Sequence, residues 1–222
     1  HPILDCGIAK NVKFLKLKSL SEEINKKVDL IVVAVISKGI EWASLQLCKV
    51  LKNNIPILIL TKGLSVNSNN YEILAHKMER ILIENGIKKI NISAAGGPCL
   101  AKDLAKKVHT SVVFANTNIN VANEIKQLAS TDYYHVSTTD DIIGVEVCAA
   151  IKNIFSMGIG STKDLNAAAG LIQQSIKEMI IFTEKLKGKK DTVIGLAGIG
   201  DLYVSADGGR NSKMGKYLGQ GL

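Results

Sequence analysis

The sequence lacks the marks of a membrane span, a metal centre and a disulfide framework. Its longest apolar runs, at 30–36 and 55–60, are far shorter than the roughly 20 residues that cross a bilayer. The four cysteines form no CxxC pair and the four histidines are scattered, so no zinc-type ligand spacing is present. No basic stretch followed by an apolar run opens the chain. We therefore expect a soluble, cytoplasmic protein with free thiols, no bound metal and no membrane insertion.

Arginine is scarce, because Arg80 and Arg210 are the only arginines among the 28 basic residues. The formal net charge of +8 is compatible with nucleic acid, an anionic membrane surface or a phosphorylated small molecule as a partner. The lysines are spread thinly and lack interleaved aromatic residues, which argues against nucleic acid. Because nearly all basic residues of this chain are lysines, the arginine at position 210 is a candidate for a specific role.

The pattern of apolar residues predicts an α/β organisation. The chain is 46% hydrophobic, enough for a buried core, and no linker rich in proline, glycine or serine divides it. Between about residues 29 and 136, short β-branched runs alternate with longer amphipathic segments, which is typical of strand–helix units and a mostly parallel sheet. The predicted strands are Leu30–Val35, Ile57–Leu60, Lys89–Ile92, Val112–Ala115 and Tyr133–Val136. The predicted helices between them are Ile40–Leu51, Tyr71–Glu84, Leu100–Lys107 and Val121–Leu128.

A helical part follows. Asp140 and Asp141 suit the N-cap and first turn of a helix, and the segment 144–160 is apolar nearly all round. A helix that is hydrophobic on every face belongs inside a helical domain or against a cofactor cleft. A second helix is predicted over Asn166–Lys187. The glycine-rich segment Thr192–Asn211 is expected to form loops around short helical pieces.

Lys152 is a basic residue inside this apolar helix, where the only other charge nearby is Glu146. Six positions apart, the two lie near opposite faces and do not form an i,i+4 pair. Val145, Cys148 and Ala149 share the face of Lys152, so the ammonium should point wherever that face is buried. Burial lowers the pKa of lysine, which suits a general acid near neutral pH. The alternative is a surface lysine whose ammonium reaches water.

Two glycine-containing segments follow predicted strands. Lys62, in Thr61-Lys62-Gly63, stands at the C-terminal end of a strand, the edge where ligands bind in open α/β sheets, although a surface-loop lysine is an equal alternative. Gly96-Gly97-Pro98 follows another strand and either lets a ligand approach the backbone or forms a simple turn.

The run TVIGLAGIGDL is not a dinucleotide fingerprint. GxGxxG starting at Gly198 would need a glycine where Tyr203 stands. These glycines are better interpreted as allowing a sharp turn that brings Asp201 close to a partner. Further on, Gly208-Gly209-Arg210-Asn211 can form a tight turn that presents a guanidinium to a phosphate, or a turn with a solvated arginine.

In this order the motifs resemble the NAD(P)-dependent sn-glycerol-3-phosphate dehydrogenases. The resemblance covers essentially the whole chain, and the succession of KN, GxGDL and GRN is specific. The matching segments include His1-Pro2, LILTKG at 58–63, AAGGPCLAKDLA at 94–105, GVEVCAAIKNIFSMGIG at 144–160, GLIQQSIKEM at 170–179, GLAGIGDL at 195–202, GGRN at 208–211 and the terminal LGQGL.

The resemblance implies both a fold and a set of site residues. It implies a Rossmann-like parallel sheet over residues 1–139, truncated at its N-terminus, and an all-α substrate domain over 140–222, truncated at its C-terminus. Lys152 would be the general acid, aided by Lys62 and Asp201. Substrate would also contact Gly97, Cys99, Asn153, Ser205, Gly209, Arg210 and Asn211. The NAD or NADP cofactor would contact Lys62, Ala101, Arg210 and Ser37. The implied reaction reduces dihydroxyacetone phosphate to sn-glycerol 3-phosphate, a precursor of phospholipids.

The sequence departs from the family in several places. The GxGxxG motif with its strand and helix is absent, so we expect this chain to be a fragment that binds dinucleotide weakly, and its preference for NAD or NADP stays open. Only STKDL separates Gly160 from Asn166, where the family has a longer glycine-rich stretch. Cys99 and Ser205 replace the more usual serine and threonine.

Two other functions are considered. A β-hydroxyacid dehydrogenase with another small substrate would leave the arginine of GGRN without a phosphate. A non-catalytic remnant that only binds a partner is the alternative from outside the enzymes. A homodimer is a possible assembly in either case.

Overall fold

The computed structural model describes residues 4, 6–52, 54–162 and 164–221. His1-Pro2, Lys163 of STKDL and the last residue of LGQGL lie outside the described residues.

The first part of the chain forms a five-stranded sheet and a hairpin. The strands of the described residues are β1 (Ile31–Val33), β2 (Ile57–Ile59), β3 (Leu64–Asn67), β4 (Asn70–Ile73), β5 (Ile92–Gly96), β6 (Thr110–Ala115) and β7 (Tyr134–Thr139). The sheet order is β1-β2-β5-β6-β7, and β3 and β4 form the separate hairpin. All neighbours in the large sheet are parallel except β5 and β6. The carboxyl ends of β1, β2 and β5 therefore share one edge with the start of β6.

Helices cover the sheet and then form a second unit. Those of the first unit are α1 (Leu20–Ile24), α2 (Ile40–Cys48), α3 (Leu74–Glu84), α4 (Ala101–Ala105) and α5 (Ile119–Ala129), with 3₁₀ turns at Leu17–Ser19 and Ser37–Gly39. Those of the second are α6 (Ile142–Gly160), α7 (Leu165–Lys185), α8 (Lys190–Ile194), a π-helical turn at Leu196–Gly200, α9 (Asp201–Gly208) and α10 (Arg210–Gly219). The expected α/β fold, Rossmann-like and followed by an all-α part, is confirmed.

The central helix α6 joins the two units. It packs against α7, α9 and α10 and also against β5, and the residues buried along it belong to the same core cluster as those of β2 and α3. Among the described residues, α6 is the one helix long and apolar enough to pass a composition test for a membrane span, but more than half of that stretch is buried inside the protein. An apolar core helix explains the same composition.

Most predicted elements are confirmed within a few residues, but the strand predicted over Lys89–Ile92 is wrong. The strand runs instead over Ile92–Gly96, where small residues are buried between β2 and β6. Serine, alanine and glycine have little intrinsic preference for strands, so pairing on both sides decides the outcome.

The hairpin β3–β4 was not predicted, and its second strand occupies the start of the helix expected over Tyr71–Glu84. Its turn residues Ser68 and Asn69 both have positive φ, of 47° and 66°. This is the conformation of a type I′ turn, which asparagine favours. The run Asn67-Ser68-Asn69-Asn70 was therefore the sequence feature that indicated this hairpin turn.

The expectation of loops over Thr192–Asn211 is also wrong, because almost the whole segment is helical. Glycines within the segment permit close packing without ending a helix: a Cβ at Gly198, inside the π turn, would lie 1.9 Å from the carbonyl oxygen of Val193. Gly209 is the extended residue that separates α9 from α10.

Candidate active site

Lys152 lies on the buried face of α6. Val145, Cys148 and Ala149 on the same face are at most 2% exposed, as the spacing predicts, and Lys152 itself is 7% exposed. Glu146 points elsewhere and accepts a hydrogen bond from the backbone amide of Ala75. The alternative of an exposed, snorkelling lysine is therefore wrong.

Asp201 opens α9 and is positioned by the π turn before it. A Cβ at Gly198 would lie 1.9 Å from the carbonyl oxygen of Val193, so the close backbone approach requires glycine. Asp201 is 2% exposed at the end of this turn. Single π turns within helices are frequent at functional sites. The glycines thus bring Asp201 to its partners, as the sequence indicated.

Lys62 follows β2 at the carboxyl edge of the sheet. The hydroxyl of Thr61 donates to the carbonyl oxygen of Val35 at 2.6 Å, which fastens this loop to the chain that leaves β1. The side chain of Lys62 is 38% exposed and reaches toward α9. A lysine at this edge is well placed for a ligand, because ligands of open α/β sheets bind outside the carboxyl ends of the strands.

Asp201 connects the two lysines, and we call the three residues the lysine–aspartate bridge. Its Oδ1 accepts a hydrogen bond from Lys152 Nζ, and its Oδ2 accepts one from Lys62 Nζ at 3.1 Å. The side chains of Lys152 and Asp201 are 9% and 3% exposed, so this pair is shielded from water. Two ammonium groups share one carboxylate, which leaves the bridge with excess positive charge for an anionic ligand.

The pKa of Lys152 is lowered to about 8. Burial is the main cause because it disfavours the charged ammonium, and the positive charge of Lys62 lowers the pKa further. Asp201 opposes both effects through its charge and its hydrogen bond. Lys152 is therefore mostly protonated near neutral pH, yet it can release its proton within the range of common enzyme activity.

The loop after β5 approaches the bridge. Gly97 has φ +98°, and a Cβ there would lie 3.3 Å from the Cα of Val112, so glycine suits this position sterically. Cys99 is exposed. Partial burial of the thiol raises its pKa. The charge of Lys62 lowers this pKa, and the charge of Asp201 raises it. Cys99 therefore lies within electrostatic range of the bridge.

Two further predicted positions lie along the same edge. Ser37 opens the 3₁₀ turn after β1, and a Cβ at Gly63 would lie 3.2 Å from the Cβ of Ser37, so the loops after β1 and β2 are in contact. Ala101 is exposed at the start of α4, which follows β5. The ends of three parallel strands thus carry Ser37, Lys62 and Ala101 around one edge.

The remaining predicted residues lie on α6, α9 and α10. Asn153 is exposed on α6, and Ser205 lies on α9 one turn after Asp201. Arg210 and Asn211 are exposed at the start of α10, whose first turn has no acidic residue. Within the described part of the chain, neither side chain makes a hydrogen bond or ion pair with the bridge. GGRN is a junction between two helices rather than a free-standing turn.

Sequence reasoning missed contacts of two buried acids, Asp141 at the N-cap of α6 and Glu146 within it. Asp141 was expected only as a cap, yet its carboxylate also accepts hydrogen bonds from Lys189 and Thr192. Burial raises the pKa of Glu146 to about 8, against opposition from the backbone amides of Ala75 and Leu74. A charged residue inside an apolar helix was the available signal for Glu146.

The chain matches two family profiles that together cover most of its length. Residues 8–122 match the NAD-dependent glycerol-3-phosphate dehydrogenase N-terminus, and residues 141–222 match the C-terminus of the same family. An NADP(+)-dependent glycerol-3-phosphate dehydrogenase of Archaeoglobus fulgidus is 30% identical, and the alignment covers 100% of this chain and 67% of that protein. A glycerol-3-phosphate dehydrogenase [NAD(P)+] of Clostridium tetani is 30% identical, with 100% and 66% covered.

A solved structure supports the same relationship. The glycerol-3-phosphate dehydrogenase of Coxiella burnetii matches with a TM-score of 0.84 at 26% identity, covering 98% of this chain and 66% of that one. The chain thus spans about two thirds of the length of these relatives. The profiles, the sequence identity and the shared fold agree with the resemblance seen in the motifs, and the chain belongs to the NAD-dependent glycerol-3-phosphate dehydrogenase family.

Proposed function

We propose that the protein carrying this chain is an NAD(P)-dependent dehydrogenase that reduces dihydroxyacetone phosphate to sn-glycerol 3-phosphate. The observation that carries the proposal is the lysine–aspartate bridge, in which a buried ammonium with a pKa of about 8 meets a carboxylate and a second ammonium at the carboxyl edge of a parallel sheet. Family membership supplies the reaction class, and the bridge supplies a proton donor suited to it.

Lys152 is the general acid in this mechanism. Reduction of a ketone places negative charge on the carbonyl oxygen, and a nearby ammonium stabilises that charge and then transfers a proton to it. Because most of its surroundings exclude water, the ammonium acts in a medium of low dielectric constant, where its charge has a larger effect. In the reverse direction the neutral amine takes the proton from the alcohol.

Lys62 and Asp201 support this proton transfer. Asp201 holds the ammonium of Lys152 in one orientation and stabilises its charged form. Lys62 adds a second positive charge that keeps the pKa of Lys152 below its ordinary value and attracts an anionic substrate. We assign Gly97 and Cys99 to backbone contacts with the substrate, because their loop approaches the bridge.

The phosphate of the substrate is assigned to the start of α10. Arg210 can donate two parallel hydrogen bonds to a phosphate, and the N-terminal turn of a ten-residue helix adds free backbone amides and a positive dipole end. We assign the remaining contacts with the substrate to Asn153, Ser205, Gly209 and Asn211. Arg210 is exposed, so a ligand can reach it.

The residues at the sheet edge fit the nicotinamide end of a dinucleotide. Gly63 and Gly97 have positive φ in the turns after β2 and β5, and a hydroxyl and an ammonium lie beside Gly63 at Ser37 and Lys62. When bound, NADH or NADPH would supply the hydride. Ser37, Lys62, Ala101 and Arg210 would hold the cofactor, and burial of the Lys152 side chain would keep the proton donor apart from bulk water.

The wider assignments follow from the reaction. We propose residues 1–139 as the dinucleotide-binding domain and 140–222 as the substrate domain, since the bridge takes Lys62 from one and Lys152 from the other. The product would enter phospholipid synthesis in the cytoplasm. A homodimer is the proposed assembly, and analytical ultracentrifugation tests it.

The test of the function is Lys152→Met in the protein that carries this chain. Methionine retains the apolar stem, and Asp201 retains Lys62 as a partner, so the fold should survive. Loss of a general acid should lower kcat for dihydroxyacetone phosphate reduction by roughly a hundred- to ten-thousandfold. The matched control is Lys185→Met, at an exposed position near the end of α7.

The outcomes separate the candidate functions. If the unsubstituted protein, which we call the parent, reduces an unphosphorylated keto acid better than dihydroxyacetone phosphate, this result would favour the function of a β-hydroxyacid dehydrogenase. A folded parent without turnover of either substrate would favour the binding remnant. Turnover of Lys152→Met within a few-fold of the parent would remove Lys152 from the mechanism.

A further inference from the structure

A buried carboxylate outside the bridge joins the start of α6 to the start of α8. Asp141 is 5% exposed. Its Oδ1 accepts the backbone amide of Gly144 at 2.9 Å, and its Oδ2 accepts the backbone amide of Lys189 at 2.8 Å and the hydroxyl of Thr192 at 2.5 Å. Only the first of these bonds belongs to ordinary helix capping. The other two connect residues about fifty positions apart.

The start of α6 and the start of α8 meet at Asp141 with almost no free space, and we call this contact the joint. A Cβ at Gly144 would lie 2.0 Å from Asp141 Oδ2 and 3.0 Å from the Cβ of Thr192. A Cβ at Gly188 would lie 2.9 Å from the Cα of Gly144. Such close backbone contact allows little sliding of one element along the other.

From each side of this joint the chain continues to one residue of the buried pair Lys152 and Asp201. Asp141 begins the continuous helix α6 that carries Lys152. Thr192 lies in α8, and the chain passes from there through the tightly packed π turn to Asp201. This connection is closely packed, since a Cβ at Gly198 would lie 1.9 Å from the carbonyl oxygen of Val193.

We propose that Asp141, acting through Thr192, is a positioning residue that sets the placement of Asp201 against Lys152. Its catalytic consequence rests on the function proposed above, whereas its geometric consequence does not. Asp141 makes no hydrogen bond or ion pair with any of the three bridge residues, so it acts only by fixing α8 relative to α6.

The proposal predicts a change in the proton affinity of Lys152. The charged groups that act on this ammonium are Lys62 and Asp201, and Asp201 is the one that raises its pKa. If Asp201 moves away, burial and Lys62 act unopposed and the pKa falls below about 8.

The experiment compares Thr192→Val with Thr192→Ser in the whole protein. Valine has the shape of threonine but no hydroxyl, whereas serine keeps the donor. The pKa of Lys152 is measured by NMR titration of ¹³C-labelled lysine, assigned with Lys152→Met. Thr192→Val should lower that pKa by roughly one unit. It should also lower kcat by roughly ten- to a hundredfold with little change in KM, because a small displacement of catalytic groups is costly. Thr192→Ser should restore both.

The matched control is Asp140→Asn, which breaks the exposed ion pair between Asp140 and Lys189 Nζ beside the joint, where the two atoms are 2.6 Å apart. It should leave the pKa of Lys152 unchanged. A lowered Tm for Thr192→Val with an unchanged Lys152 pKa would overturn the proposal and leave Asp141 a structural residue. A lowered pKa in a protein without dehydrogenase activity would support the positioning role and contradict the proposed function.

Discussion

The side chain of Lys152 combines a strong ion pair with a lowered pKa. Burial and Lys62 favour loss of its proton, and the carboxylate of Asp201 favours retention. Burial and Lys62 together have the larger effect, so the pKa settles at about 8. An exposed lysine has a pKa well above about 8. It is therefore a weaker acid and would transfer its proton more slowly near neutral pH.

We expect opposite pH dependences for the two directions of the reaction. Reduction requires the protonated ammonium, so kcat/KM for dihydroxyacetone phosphate should fall as the pH rises through about 8. Oxidation of glycerol 3-phosphate requires the neutral amine, so its kcat/KM should rise over the same interval. Steady-state rates across the pH range, with saturating cofactor, measure both limbs. Parallel profiles in the two directions would contradict the assignment of Lys152.

Arg210→Lys tests the phosphate assignment. Lysine keeps the charge but loses the planar pair of donors, and loss of such a contact costs on the order of 1.5 to 3 kcal/mol, or roughly a ten- to hundredfold rise in KM. Dihydroxyacetone has no phosphate and should be affected far less. The other arginine of the chain provides a control, since Arg80→Lys changes the ion pairs of α3 with Glu72 and Glu84 and none of the proposed site residues. Equal losses on both substrates would assign Arg210 to the fold or the cofactor.

Among the elements, α6 and its capping residue Asp141 contact α3, α8, α9 and α10. Its Lys152 meets α9, its Asp141 meets α8, and its Glu146 meets the start of α3. Small residues let α10 pack closely on its far end, where a Cβ at Gly215 would lie 2.0 Å from the carbonyl oxygen of Met157. One helix therefore sets the relative positions of several others.

Glu146 should make stability depend on pH. Burial raises its pKa to about 8 in the folded protein from an ordinary value of 4.5, so the folded state keeps a proton that the unfolded chain has lost. The stability contribution is fully present below about pH 4.5 and is lost progressively as the pH rises to about 8. Glu146→Gln keeps the neutral form at every pH. Its free energy of unfolding should therefore exceed that of the parent by an amount that grows with pH.

Urea denaturation at about pH 5 and about pH 9 measures this difference, which should increase by on the order of 1 kcal/mol or more between them. Glu124→Gln, at an exposed position on α5, is the matched control and should show no such trend. A constant difference for Glu146→Gln would show that Glu146 is charged in the folded protein.

For the whole molecule, the net charge of +8 acts in the same direction as the local charge of the site. Lys62, Lys152 and Arg210 outnumber Asp201 among the proposed site residues. A positive field of this kind raises the rate at which an anion arrives, and dissolved salt weakens it.

We expect kcat/KM for dihydroxyacetone phosphate to fall several-fold as sodium chloride rises from about 20 to about 200 mM. The value for uncharged dihydroxyacetone should stay nearly constant over the same range. Initial rates at low substrate concentration measure both. A common salt dependence would indicate a general effect on the protein instead of attraction of the phosphate.

Much of the fold could be predicted because apolar periodicity is a local property. The spacing around Lys152 predicted a buried face, and the alternation of strands and helices predicted the sheet. The boundaries of β5 and the β3–β4 hairpin were missed, since the first depends on pairing with β2 and β6 and the second on two residues with positive φ. Helices in place of loops near Asp201 were missed because glycine there serves packing between helices.

The sequence by itself determined the α/β order of elements, the apolar helix with its single lysine and the motifs of the family. Only the tertiary structure decided that Asp201 meets Lys152 across 49 residues and Lys62 across 139. It also decided the pKa values of Lys152 and Glu146 and the contact of Asp141 with α8. The physical reason is that desolvation and ion pairing depend on which distant elements cover a side chain, and no local pattern of residues contains that information.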